Sequence, residues 1–397
     1  MMSPSENKGL IWVKNRTFGY AAIQSFFWMC YAAMMGFASM YLLQAGFDNS
    51  QVGMLIAAAG LLSALLQPVI AAYADRPGST PVGKLVIISG ALSLACAVLL
   101  LFTRGSTLLT GLLYGCCMVL LQLTTPLVNS LGIGAVNNGE KLDFGIARGF
   151  GSLGYAAAAY LIGLLANRFG AVTVPICMGV GFFLLLLTVA GFGSTGSKVP
   201  SEKKTATARG GFLRRYPRYA AVLFGLVLIF VSHVVLNSFT FQIVEAKGGT
   251  SREMGIAMAF ASVIELPVMF LFSWMLKKAK SHVWFRLSGV FFFLKCLGTL
   301  LCRDIPGFYA VQLLQMFGWA LMTVSAVFYI NAIMAPEDSV KGQACYTVSL
   351  TLGNVVGAIA AGRILDNMGV RAMLVFGTAS ALLGAVIVLV FAQRTSE

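Results

Sequence analysis

Apolar runs of about 20 residues follow one another along nearly the whole chain, and that recurrence limits what it can fold into. Twelve runs can be counted, at roughly 17–43, 51–74, 84–103, 107–131, 144–166, 171–193, 218–243, 254–276, 283–302, 306–334, 342–364 and 370–392. A helix of ~20 residues crosses the ~30 Å hydrocarbon layer of a bilayer. With 58% hydrophobic and only 11% charged residues, the 397-residue chain is too apolar for a soluble fold of this size. The expected class is therefore an all-α integral membrane protein with twelve transmembrane helices, in which no room remains for a soluble domain.

The twelve runs divide into two related sets. Gly154, Gly163 and Gly170, in the run ending AYLIGLLANRFG, recur at a constant offset of 199 as Gly353, Gly362 and Gly369, in the run ending AIAAGRILDNMG. The fifth helix thus corresponds to the eleventh, as two six-helix, pseudo-symmetric bundles require. The expected division is an N-terminal bundle over 1–193, a flexible cytoplasmic linker over 194–217, rich in Gly, Ser, Lys and Arg, and a C-terminal bundle over 218–397. Such a repeat puts the expected solute site between the halves at mid-membrane.

A net charge of +14 invites a nucleic-acid reading, but its distribution is topological. Loops on the side of the N-terminus hold 19 of the 28 Lys and Arg, seven lie on the other side, and Arg148 and Lys295 are inside helices. The positive-inside rule then puts both termini in the cytoplasm, in what is expected to be a bacterial inner membrane. The N-terminal MMSPSENKGLIWVKNR lacks a short apolar core with a cleavage site and reads as a cytoplasmic tail. The eight cysteines lie within or at the ends of apolar runs, without CxxC spacing, so neither disulfides nor a metal site is expected. No cofactor is implied. The expected partners are a small-molecule solute, protons and membrane lipid, with no nucleic acid, and the expected state is a monomer.

Two charges stand out inside the eighth and ninth runs. Glu265 lies twelve residues before Lys277 at one end of a short basic turn, and Lys295 twelve residues after Val283 at the other. At ~1.5 Å per residue each is about 18 Å from the turn, so the opposite charges fall at one depth and should pair. An ionised group at a helix centre costs roughly 2.5–3.5 kcal/mol on insertion scales and marks a cavity or a partner. The alternative is a structural bridge locking two helices, although an apolar pair would pack as well. Burial raises a carboxyl pKa and a nearby cation lowers it, so a Glu facing Lys can take up a proton when that contact loosens.

Other polar positions carry weaker signals. His233, in VLIFVSHVVLNSF, is either a hydrogen-bonded packing residue or a proton or substrate group; His282 falls in a turn and reads as solvated. Gln24 and Gln67 suit either a pore lining or a polar packing contact, Pro68 should kink the second helix, and Gly36, Gly53 and Gly60 allow close helix approach.

Several motifs carry a family resemblance. The turn YADRPGSTPVGK after the second helix resembles the signature of the major facilitator superfamily, Gly-x-x-x-Asp-Arg/Lys-x-Gly-Arg-Lys. Asp75, Arg76 and Gly78 match it, while the leading Gly is Ala71. The resemblance implies a cytoplasmic gate at Asp75, Arg76 and Gly78; without it, the turn reads as a solvated charged loop. The run Asp143-Phe144-Gly145-x-x-Arg148-x-x-Gly151-x-x-Gly154-Tyr155 resembles the fifth helix of the lactose permease (oligosaccharide:proton symporter) family and of the phenylpropionate permease family. By periodicity alone Arg148 could equally snorkel to the interface. The resemblance makes Arg148 a sugar-gripping residue and Tyr155 a stacking one. Glu265 and Lys295 fall where both families carry a Glu and an Arg.

The departures bear on mechanism. Lactose permease has a second sugar-binding Glu where this chain reads Asn129-Ser130, and a His-x-x-Glu pair for proton coupling where it reads Gln315-Met316-Phe317-Gly318. Asn129 and Gln315 are thereby candidate substrate-binding residues, beside Arg148, Tyr155 and Glu265. Glu265, Lys295 and His233 are the candidates for proton coupling. A membrane enzyme would need a metal cluster, an activated nucleophile or paired carboxylates, which the runs do not offer. A drug exporter would want acids and aromatics without matching cations. The expected function is secondary transport of a small polar solute, a sugar or glycoside first, by alternating access in symport with protons. The alternative is proton-coupled or uniport transport of an organic, aromatic acid or a nucleoside.

Overall fold

A computed structural model describes residues 4–74, 76, 78–103, 105–192 and 212–395, with the backbone alone over 4–15. The described residues are helical and contain no strand. Helix α1 (Pro4–Tyr31) runs into a π-helical turn, Ala32–Gly36, and then a short helix, Ala38–Gln44, bent by 48°. Five helices follow: α2 (Asn49–Ala74), α3 (Val82–Leu100), α4 (Thr107–Asn137), α5 (Phe144–Phe169) and α6 (Thr173–Phe192). After a single turn at Phe212–Arg215 come α7 (Pro217–Ser238), α8 (Ser251–Met275), α9 (Ser281–Leu301) and α10 (Ile305–Ile333). A last helical stretch, Pro336–Phe391, breaks at Gly369 into α11 (336–368) and α12 (370–391). Residues 194–211 of the expected linker lie outside the described residues.

Polar side chains set the helix starts, satisfying the first amides that have no partner within the helix. Ser106 accepts from Leu109 N at α4, Asp143 from Ile146 N at α5 and Asp304 from Gly307 N at α10. Thr250 and Glu253 form a reciprocal capping box at α8. Among the described residues ten helices, or eleven with the bent α1 pair, are long and apolar enough to cross a membrane, and the break at Gly369 brings the number of crossing segments to twelve.

By contacts the chain forms two compact units, one of Met1–Gly46 and Ala58–Ser201, the other of Phe47–Ala57 and Glu202–Glu397. In the first, α1 packs on α5 and α6, and α3 on α4 and α6. In the second, α7 packs on the α11–α12 stretch, and α9 on that stretch and on α10. The core of the second unit is aromatic, with Phe285 stacked on Tyr329 at 4.5 Å beside buried Phe230 and Phe292. This unit also holds the first turns of α2, where the Asp366 carboxylate accepts from Asn49 N at 3.1 Å, Ser50 N at 2.7 Å and the Ser50 hydroxyl.

The offset of 199 read from the glycines is visible as structure. A Cβ on Gly154 would meet Ser25 O at 2.6 Å, and one on Gly353 would meet Phe230 Cβ at 2.5 Å, so each glycine lets the first helix of its half approach closely. Gly170 and Gly369 end α5 and α11 at φ 76° and 78°, a left-handed conformation that favours glycine. The same offset relates Tyr20, whose hydroxyl donates to Val128 O, to Tyr219, whose hydroxyl donates to Gly342 O. It also relates Arg16, paired with Glu140 at 3.2 Å, to Arg215, paired with Asp338 at 2.8 Å.

Candidate functional site

In the first unit the polar cluster is built on one face of α1. Tyr20, Gln24 and Trp28 are spaced four apart and stand one above another on the helix. Gln24, fully buried, donates to the Tyr20 hydroxyl at 2.7 Å and towards Asn129 Oδ1 at 3.4 Å, and accepts from the Trp28 indole N–H at 3.1 Å. The indole so fixed carries Arg148 of α5 on its face, with the guanidinium carbon 4.3 Å from the ring centroid. The guanidinium is planar and carries its N–H donors in a fixed fork, which suits oxygen-rich ligands, and the ring beneath it fixes where that fork lies. Gly151 makes the approach possible, since a Cβ there would meet Trp28 Cδ1 at 2.6 Å. Tyr31 extends the aromatic wall, 5.0 Å from Trp28, just before the π-helical turn of α1. Tyr155 lies seven residues after Arg148, on the same face of α5, and is half-buried.

In the second unit three expected residues come together across three helices. Lys295 of α9 donates from Nζ to Gln315 Oε1 of α10, and Gln315 Nε2 donates to Glu265 Oε1 of α8 at 2.7 Å. Lys295 and Gln315 are each 5% exposed, so the polar chain sits in the interior. The pairing expected of Glu265 and Lys295 thus takes the form of a relay with an amide between the charges.

Two of the three residues sit where their helices are broken. Residues Ser251–Ile264 and Leu266–Met275 of α8 are separate helices meeting at Glu265, because Pro267 has no N–H to donate across the junction. In α10, Ile305–Gln312 ends in a turn over 313–314, and Gln315 leads directly into a π-helical segment, Met316–Ala320. Broken helices and π segments inside a membrane protein free backbone groups where a cavity or a moving site can use them. Trp319, in the π segment, stacks on His233 of α7 at 4.1 Å, and Phe292 meets the same imidazole edge-on at 5.8 Å.

The remaining expected positions are plain. Gly78 takes φ 80° in the turn after α2, and Arg76 N donates to Tyr73 O at 3.2 Å; Asp75 lies outside the described residues. Gln67 donates to the α4 backbone at Gln122 O, a packing contact, and Gln24 serves to hold Trp28. His282, which reads as solvated in sequence, is 8% exposed and accepts from Thr395 N at 3.1 Å through Nδ1. Sequence reasoning missed Trp28, which resembles any core aromatic in an apolar run, although its spacing from Gln24 was available. It also missed the breaks in α8 and α10. Pro267 signals the first, and no residue signals the second.

Polar groups of opposite charge held inside a bundle of membrane-crossing helices, at breaks in those helices, define a membrane transporter. The chain belongs to the MFS_1 like family, whose match runs over residues 20–376. It is 23% identical to an uncharacterized transporter, YwbF, of Bacillus subtilis (strain 168) over 376 residues, covering 91% of this chain and 90% of that one. It is 23% identical to a maltose permease of Geobacillus stearothermophilus over 373 residues, covering 92% and 91%. Its fold is similar to that of the nucleoside transporter NupG, with a TM-score of 0.77 at 13% identity, covering 95% of this chain and 98% of that one.

Proposed function

We propose that the protein is a proton-coupled symporter that moves a small polar solute, a sugar or glycoside, by alternating access. The observation that carries this reading is the Lys295–Gln315–Glu265 relay, an acid and a base joined through an amide at two helix breaks. Glu265 is the proton carrier and Lys295 sets its readiness to take the proton. Arg148 and Glu265 hydrogen-bond the solute, Asn129 and Gln315 supply neutral polar contacts, and Tyr155 stacks on it. The maltose permease among the relatives and the likeness of the α5 run to lactose permease support a sugar. The excess of Lys and Arg on one side supports cytoplasmic termini in a bacterial inner membrane, with Asp75, Arg76 and Gly78 as a gate on that face.

A second reading rests on the two cations, Arg148 and Lys295. With Glu265 neutralised by a proton, Arg148 or Lys295 would be the counter-charge of an organic acid, and the Trp28 and Tyr31 rings would suit an aromatic one or a nucleoside. The test is external pH in a weakly buffered suspension of de-energised cells overproducing the protein, as sugars, nucleosides and aromatic acids are added singly. Alkalinisation by one solute, absent in Glu265→Gln, gives the coupling and the solute class together. Equilibration of labelled solute without proton movement would replace symport by uniport, and wild-type uptake in both Glu265→Gln and Arg148→Ala would remove these residues from the site.

A further inference from the structure

We infer that Gln315 is the positioning residue that turns the charge state of Glu265 into a change in α10. The inference rests on Glu265 being the proton carrier and adds where the proton's arrival is read.

A primary amide has one accepting end and one donating end. In the relay the accepting oxygen faces the Lys295 ammonium, which can only donate, and the donating nitrogen faces the Glu265 carboxylate, which when ionised can only accept. The amide is therefore oriented by both charges at once, and each of its bonds is charge-assisted, roughly twice as strong as a neutral one. Gln315 does not titrate, so it neither takes the proton itself nor cancels either charge. Among the described residues of the second unit, the titratable groups beside Lys295 besides Glu265 are His233 of α7, within electrostatic reach, and the Cys296 thiol next to it in sequence.

A proton on Glu265 removes the negative end of this alignment. The Gln315 bond to it falls to the strength of a neutral hydrogen bond, and the tie of α10 to α8 weakens. The backbone on either side of Gln315 departs from the regular α-helix, with a turn before it and the π segment after it. That segment carries Trp319 and its stack on His233, so loosening at Gln315 is passed on to α7. An apolar residue at 315 would leave the acid and the base in place and disconnect them from α10.

The test uses the full-length protein in lipid nanodiscs, with no solute needed. Infrared difference spectra across a pH titration follow the protonated carboxyl band of Glu265, assigned by its absence in Glu265→Gln. Hydrogen exchange of the peptide covering 313–320, corrected for the intrinsic effect of pH, follows α10. In the wild type exchange rises about fivefold as the carboxyl band appears, the order expected when a charge-assisted bond becomes a neutral one. Glu265→Gln should sit at the raised level at every pH. Gln315→Leu should keep a carboxyl titration but lose the pH-dependent step in α10, and Gln315→Asn, which keeps an amide with one accepting and one donating end and does not titrate, should restore part of it. A full step in Gln315→Leu, or no partial step in Gln315→Asn when both variants are folded and monodisperse, overturns the inference. If the step persists in Glu265→Gln, it is the reading of Glu265 as proton carrier that fails; if Glu265 titrates and Gln315→Leu behaves as wild type, only the role of Gln315 falls.

Discussion

The Trp319 indole lies against the His233 imidazole with ring centroids 4.1 Å apart and planes 9° from parallel. The stack joins α7 to the π segment of α10, and Asn237, one turn further along α7, reaches the imidazole Nδ1 at 3.0 Å. These contacts support a packing ring as the reading of His233, with proton coupling as the alternative. Stacked aromatic pairs contribute about 1 kcal/mol beyond the area they bury. Trp319→Leu should lower the thermal unfolding midpoint by a few degrees, whereas His233→Phe should preserve both the midpoint and the pH profile of uptake. A displaced pH profile in His233→Phe would instead make the imidazole a proton carrier.

Arg148 depends on Trp28 in a comparable way. The indole is held through its N–H by Gln24, so the guanidinium meets a surface that does not turn. A desolvated cation–π contact is worth about 1–2 kcal/mol, which corresponds to roughly five- to thirtyfold in an equilibrium. Solute affinity should therefore fall by about that factor in Trp28→Leu and much less in Trp28→Phe. Arg148→Lys should not substitute for Arg148, because an ammonium lacks the planar face. Direct binding of the solute identified by the pH screen, measured on purified variants, separates these outcomes.

Lys295 is 5% exposed and should show the asymmetry of a buried charge. Removing it alone leaves Gln315 Oε1 without its ammonium donor and takes away one of the two charges that orient the amide. Breaking a buried pair in this way costs about 3–5 kcal/mol, whereas removing both charges can be nearly neutral. Lys295→Leu should thus be markedly less stable than the wild type. Adding Glu265→Gln to it should restore much of the midpoint without restoring proton-coupled uptake. Additive losses in the double variant would mean that the two residues are energetically independent.

Parts of this site were legible in sequence because they obey simple periodicities. Membrane thickness converts run length into a helix count, and the equal distances of Glu265 and Lys295 from one turn set them at one depth before any coordinate is known. The glycine repeat was legible for a physical reason as well: close approach at Gly154 and Gly353 and a positive φ at Gly170 and Gly369 both exclude side chains. Gln315 was singled out only by its place in a resemblance. Its role as a bridge depends on how α10 is rotated about its own axis, and a neutral amide in an apolar run does not reveal that. Nothing in MFGWA distinguishes the π segment after it from regular helix.

Those glycines give the sharpest test of the packing itself. On Gly154 a Cβ would stand 2.6 Å from Ser25 O and 2.8 Å from Ser25 Cα, and on Gly353 it would stand 2.7 Å from Val227 O. The obstacles include backbone atoms, which cannot rotate away as a side-chain tip can. Gly154→Ala and Gly353→Ala should therefore each force the first and fifth helices of their half apart, at an overpacking cost of about 1–3 kcal/mol. Gly60 is a control from the same protein, because a Cβ there meets nothing within 4 Å. In α2 its replacement by Ala removes only the conformational penalty of glycine in a helix, so Gly60→Ala should be neutral or stabilising by about 0.5–1 kcal/mol. Thermal unfolding of the three purified variants, read as loss of the monodisperse peak after heating, should rank Gly60→Ala at or above the wild type and the other two below it. Equal midpoints for all three would show that α1 against α5, and α7 against α11, yield to an added methyl group, and that the repeat does not owe its glycines to close approach.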